Sequence, residues 1–147
     1  MLTIAPQYCA DSDQSAAARV DGPEDQALDR LRTWLTVPEA TDRLGCLLAK
    51  TTAELAWEDE AIAARSRAAY ETLRESCRLL VEQAQRAGQV DPDADSAALG
   101  GLVLATHRGL EALLKAGIDP KTLNRIADAA IDGITLDSAG ASAGAGA

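Results

Sequence analysis

The chain has 147 residues, a length that suits one domain with a single buried core, and its 47% hydrophobic and 25% charged content is that of a folded domain rather than a disordered chain. A formal net charge of −9 opposes docking on a phosphate backbone. No apolar run approaches the roughly 18 residues that span a bilayer, and the N-terminus lacks the basic stretch and apolar core of a secretory signal.

These bounds point to a cytoplasmic protein that does not bind DNA by this chain alone. Three widely spaced cysteines, Cys9, Cys46 and Cys77, fit neither a disulfide framework nor a zinc site. With His107 the one histidine, no metal site and no cofactor motif is expected.

Every strong periodicity is helical, and strand-length alternation is absent. Residues 1–22 are the least readable. A first helix is predicted over Pro23 to Thr36: proline suits a first turn, Glu24 and Asp25 suit the positive helix end, and Leu28, Leu31, Trp34 and Leu35 share a face. Pro38 breaks it. Thr41 or Asp42 offers an N-cap for a second helix running to about Ala56, with Leu44, Leu47, Leu48, Thr51, Thr52 and Leu55 at three- and four-residue steps.

Asp59 can cap the longest helix, about Glu60 to Ala87, whose apolar stripe includes Ile62, Ala69, Tyr70, Leu73, Cys77, Leu80, Val81 and Ala84. Glu82 and Arg86 stand in the favourable i,i+4 order, and Gly88 occupies the left-handed stop position. A fourth helix is capped near Asp93 or Asp95 and closed by Gly117, with Leu99, Leu102, Val103, Thr106, Leu110, Leu113 and Leu114 on its apolar side. Gly100 and Gly101 each cost about 1 kcal/mol against alanine in a helix, which predicts a close helix crossing. In the fifth helix Asp119 is the N-cap and Pro120 the first residue, and Leu123, Ile126, Ala127, Ala130, Ile131 and Ile134 recur at helical spacing. After Leu136 the sequence "DSAGASAGAGA" has nothing to bury, so residues 137–147 are expected to form a flexible tail. The expected architecture is all-α, about five helices in one bundle over residues 23–136.

From about Leu28 to Leu136 the sequence resembles the C-terminal regulatory domain of TetR/AcrR-family transcriptional regulators. The likeness rests on the Gly45-Cys46 opening of the second helix, Ala53-Glu54-Leu55 near its end, the "AGQVDPDAD" turn, and Gly109-Leu110 within "HRGLEALLKAGID" followed by Pro120 and a last helix. Two features depart from the family pattern. Nothing here matches the helix-turn-helix DNA-binding domain that usually precedes this region, so residues 1–22 are expected to be the remnant of the linking helix and a loop. Glu60 stands where the family often has proline.

The resemblance implies a ligand cavity enclosed by the helices from about Thr41 to Lys115. It also implies a homodimer in which the last two helices pair with their copies. Small residues agree with tight helix packing: Gly100, Gly101, Ala97, Ala98 and Ala105 on one helix, Ala127, Ala129 and Ala130 on the next. They suit packing within one subunit as well, but few aromatics and a thin core favour an interface. The expected interface residues are Gly100, Gly101, Leu110, Leu123, Ile126, Ala127, Ala130 and Ile131.

The expected ligand-binding residues are Trp34, Leu47, Thr51, Leu55, Tyr70, Leu73, Cys77, Leu102, Thr106 and His107, an apolar lining with a few polar groups. Thr51 and Thr52 can instead bond their own helix carbonyls, and His107 can lie on a helix surface or interface. Cys46, near a helix start, is a better redox candidate than Cys77, although a helical cysteine more often packs as a small hydrophobe. Neither a nucleophile with its base nor a working pair of acids is evident, so an enzyme is not expected.

The functional expectation is an effector-binding and dimerisation domain of a TetR-like regulator, acting as a repressor and responding to a neutral apolar or aromatic small molecule. Operator DNA would be the target of a full-length form. The alternative is an interaction protein without a DNA reader that pairs with related regulators.

Overall fold

The computed structural model describes residues 19–38 and 52–136, and these form an all-α domain. A 3-10 turn at Glu24–Gln26 leads into α1 (Ala27–Leu35), followed by α2 (Glu60–Arg86), α3 (Ser96–Lys115) and α4 (Pro120–Ile134). Residues 52–55 are also helical. The predicted cap of the second helix, its residues Leu44 to Thr51 with Cys46, and both chain ends lie outside the described residues.

The helix boundaries follow from capping chemistry. Asp59 accepts bonds from the backbone amides of Ala61 and Ile62, Asp95 from those of Ala97 and Ala98, and Asp119 from that of Thr122. Each satisfies amides that a helix start leaves without intrahelical partners. α2 and α3 end alike, on Gly88 (φ 74°) and Gly117 (φ 92°). In the first, Gln89 N bonds Ala84 O at 2.8 Å and Gly88 N bonds Gln85 O; in the second, Ile118 N bonds Leu113 O and Gly117 N bonds Leu114 O. This paired closure needs a left-handed residue, which glycine provides without a Cβ clash.

α2 lies along α3, α4 packs on α3, and α1 touches all three. The core is aliphatic: Leu31 and Leu35 of α1, Leu80 and Val81 of α2, Val103 and Leu110 of α3, Leu123 and Ile131 of α4, with Val90 from the α2–α3 turn. At the α2–α3 crossing, a Cβ on Gly100 would stand 2.6 Å from the backbone N of Arg78, so the helices approach as closely as only glycine permits. A Cβ on Gly101 would meet nothing within 4 Å. The expectation of a close crossing therefore holds for Gly100 and not for its neighbour.

Polar bonds fasten α1 to α4. Arg32 reaches Asp128 at 2.7 Å and Asp132 at 2.8 Å, while Asn124 accepts from Val37 N at 2.7 Å and donates to Val37 O at 3.0 Å. Asn124 thus satisfies both backbone groups where the chain leaves α1, a place with no helical partner to offer.

The expected Glu82–Arg86 pair is replaced. Glu82 pairs with Arg78 and accepts the Ser96 hydroxyl, and Arg86 instead binds Glu24 at 2.8 Å. Glu82 is taken by Arg78 one turn earlier in α2, and Arg86 by a residue outside the helix, so the Glu82–Arg86 pair is not made.

Candidate functional site

Trp34 projects from the side of α1 next to the core residues Leu31 and Leu35, and its ring stacks on the imidazole of His107. The centroids are 4.2 Å apart and the rings are tilted by 11°. The Arg19 guanidinium sits 5.3 Å from the Trp34 ring centre, and that of Arg108 sits 5.7 Å from the ring of Tyr70. Both are within the range in which a cation is drawn to an aromatic face. Beside Trp34 lies an apolar crevice lined by Arg19, Trp34, Leu73, Ser76, Cys77 and Leu80. Its free space of about 10 Å³ holds about one water. A drug-sized ligand needs several hundred Å³, so the crevice must widen to admit one.

His107 reaches this place because it follows Val103 by four residues and precedes Leu110 by three, on the inward face of α3. Burial, reinforced by the positive charges of Arg108 and Arg19, lowers its pKa to about 3. The ring is therefore neutral near pH 7, and its 3.9 Å approach to Glu111 is not an ion pair there. Glu111 instead pairs with Arg108 at 2.7 Å, and burial raises its pKa despite Arg108 and Lys115. Cys77 is buried and its thiol is pushed up to about 12, chiefly by desolvation, so it packs as a small hydrophobe rather than reacting as a thiolate.

Of the expected ligand-binding residues, Trp34, Leu73 and Cys77 line the crevice, His107 backs Trp34, and Tyr70 packs against the same core. Leu55 is half-buried, while Leu47 and Thr51 lie outside the described residues. Leu102 and Thr106 are not among the residues that line the crevice. Leu102 is 50% exposed, and Thr106 spends its hydroxyl on the Leu102 carbonyl at 2.8 Å. Leu102 stands one helical step of about 100° from the buried Val103. Thr52 donates to the buried Ser66 hydroxyl at 2.8 Å.

The interface expectation also divides. Gly100, Leu110, Leu123, Ala127 and Ile131 are buried inside the single chain: α2 crosses α3 at Gly100, and α4 packs on α3 and α1. Gly101 and Ala130 are half-buried and Ile126 is 41% exposed, so these three remain on the outside. Around them α3 exposes Ala98, Leu102, Ala105, Gly109, Ala112 and Leu113 at helical spacing, an uncharged strip along the outer side of the helix.

Sequence reasoning missed Arg19, Ser76, Leu80 and Arg108 as site residues. Leu80 was legible only as core, Arg108 was one charged residue among many, and Arg19 precedes the first readable helix. Among the described residues no group of three or more His, Cys, Asp or Glu side chains is placed to hold a metal ion, and no helix is long and apolar enough to cross a membrane.

Residues 25–130 match the family model described as the tetracycline repressor-like C-terminal domain. No curated protein and no solved structure matches the chain.

Proposed function

Because the chain belongs to the tetracycline repressor-like C-terminal domain family, we propose that it is the effector-binding and dimerisation domain of a ligand-responsive transcriptional repressor. Its role is regulatory rather than catalytic, and it works in the cytoplasm as a homodimer. The observation that carries this reading is the division of α3 into two faces. The inner face presents His107 to Trp34 beside the crevice; the outer face presents Leu102, Ala105, Gly109 and Leu113 as an uncovered apolar strip. Ligand site and pairing surface are then opposite sides of one helix. A strip of small and aliphatic residues with no charge on it is what a partner helix packs against.

The arrangement supports a route for the signal. A ligand beside Trp34 has to displace α1 from α2, since the crevice holds about one water. α1 is tied to α4 by Arg32 with Asp128 and Asp132, and by Asn124 with Val37. A shift of α1 is thereby delivered to α4, which carries Ile126 on the exposed side. In a dimer, such a shift changes how the two copies sit, and the effector acts by favouring one arrangement.

Light scattering coupled to size exclusion tests the pairing surface. The unmodified chain is expected to run as a dimer, and Ala105→Glu as a folded monomer with an unchanged helical circular-dichroism spectrum. A chain that is already monomeric at high micromolar concentration sinks the dimer reading. If Ala105→Glu leaves a dimer intact, pairing uses another surface.

A further inference from the structure

One wall of the crevice beside Trp34 is unlike the others. Leu73, Cys77 and Leu80 are buried core residues of α2, and the Ser76 hydroxyl is spent on the Thr72 carbonyl at 3.1 Å. Trp34 is held in its stack on His107. Arg19 comes from the chain ahead of α1 and reaches the crevice on a long side chain, with its guanidinium 5.3 Å from the Trp34 ring centre. Burial, and after it the charge of Arg108, lowers the pKa of that guanidinium, so its docked position costs part of its hydration.

The backbone beside Arg19 spans the two helices that a ligand has to part. Gln83 of α2 donates to the Val20 carbonyl at 2.9 Å and accepts from Arg30 Nη2 of α1. Two residues further on, Gly22 has φ 141°, and a Cβ there would stand 2.6 Å from Arg30 Nη1. Only glycine holds that conformation without strain. Beyond Gly22 the chain is fastened again: the Pro23 carbonyl accepts from Arg30 Nη1 at 2.9 Å, Glu24 pairs with Arg86 at 2.8 Å, and the Asp25 carbonyl accepts from Gln89 Nε2 at 2.9 Å. Rotation at Gly22 therefore moves Arg19 without disturbing the turn that leads into α1.

Resting on the effector-binding reading above, we infer that Arg19 is a bolt across the crevice: an uncharged, flat apolar ring enters by taking the place of the guanidinium over Trp34, and residues 19–22 swing out about Gly22 as it does. The ligand class follows from what Arg19 leaves behind. The remaining lining is Trp34, Leu73, Cys77, Leu80 and Ser76, and the Cys77 thiol, pushed up to about 12 by burial, is neutral. A charge entering that lining would lose its hydration and meet no opposite charge. An aromatic ring regains against Trp34 the contact that the guanidinium gives up. Bolted and occupied are then alternative states, and the apparent affinity is reduced to the fraction of molecules in which the bolt is drawn.

Indole is the probe, titrated calorimetrically into the full chain and followed by proton NMR. Protons of the Arg19 side chain above the Trp34 ring should resonate upfield, identified by their loss in Arg19→Ala. Saturating indole is expected to return them toward the values of a free arginine. Arg19→Ala should bind indole roughly 2- to 30-fold more tightly, the worth of one cation–aromatic contact, and Arg19→Lys, which keeps a cation, should fall between. Indole binding that leaves the Arg19 shifts unmoved overturns the bolt and leaves the effector-binding reading standing. So does an Arg19→Ala protein that binds indole no more tightly than the unmodified chain. Absence of binding by all three proteins overturns the inference together with the crevice as the effector site. If Arg19→Ala does not fold, the Arg19 shifts of the unmodified chain, identified through Arg19→Lys, still decide.

Discussion

The two faces of α3 are built from the same kinds of residue and do opposite things. On the inner face Gly100 lets α2 approach to backbone contact, and Val103 and Leu110 are buried. On the outer face Gly101 has open space where a Cβ would be, and Leu102 and Leu113 are 50% and 40% exposed. α4 repeats the contrast, with Leu123 fully buried and Ile126 exposed three residues on. Composition does not separate an internal packing surface from one left for a partner. What separates them is whether another helix of the same chain already covers the surface.

The contrast can be broken at the core first. Leu123→Ala should cost about 2–5 kcal/mol of unfolding free energy in urea denaturation, as deletion of a buried leucine does. Ile126→Ala should cost the monomer fold less than about 0.5 kcal/mol and weaken association instead. Similar losses of fold stability from both would mean that α4 has no outer face.

A second test uses His107, on the inner face of α3. The pKa of His107 falls from the ordinary 6.5 to about 3 in the fold, so between these values the unfolded chain binds the extra proton. Stability contributed by neutral His107 is thus fully present above about pH 6.5 and is lost as pH falls toward 3. By pH 4 the loss should be on the order of 3 kcal/mol, and it should vanish from the pH dependence of His107→Gln. Denaturation curves at pH 7, 5.5 and 4 on both proteins check it; parallel losses would place His107 in solvent.

The smallest expected effect gives the sharpest comparison, because it changes adjacent residues identically. Gly100→Ala forces a Cβ onto the Arg78 backbone and should cost about 1–3 kcal/mol. Gly101→Ala should stabilise the monomer by up to about 1 kcal/mol through helix propensity, read as a raised thermal midpoint. Equal shifts in the two variants would deny the close crossing.

Much of the scaffold was legible from local chemistry. The caps at Asp59, Asp95 and Asp119, the stops at Gly88 and Gly117, and the long stripe on α2 are local events, decided within four or five residues of chain. The candidate site was legible in part. Trp34, Leu73 and Cys77 line the crevice and His107 stacks on Trp34, whereas Leu102, on the same broad apolar surface of α3, is exposed. Arg19 and Arg108 gave no periodic signal, since a charge becomes part of a site only when aromatic rings from other helices converge on it.

By itself, the sequence determined that the chain is helical, where most described helices start and stop, and that α3 and α4 carry more apolar surface than one face needs. The tertiary structure decided which part of that surface is interior. A helix turns about 100° per residue, so Leu102 and Val103 differ by one step and look alike in any periodic reading. Their fates separate only because α2 crosses at Gly100 and covers one of them. The same holds for charge: Arg86 leaves Glu82 for Glu24, 62 residues away, because folding brings that carboxylate within 2.8 Å.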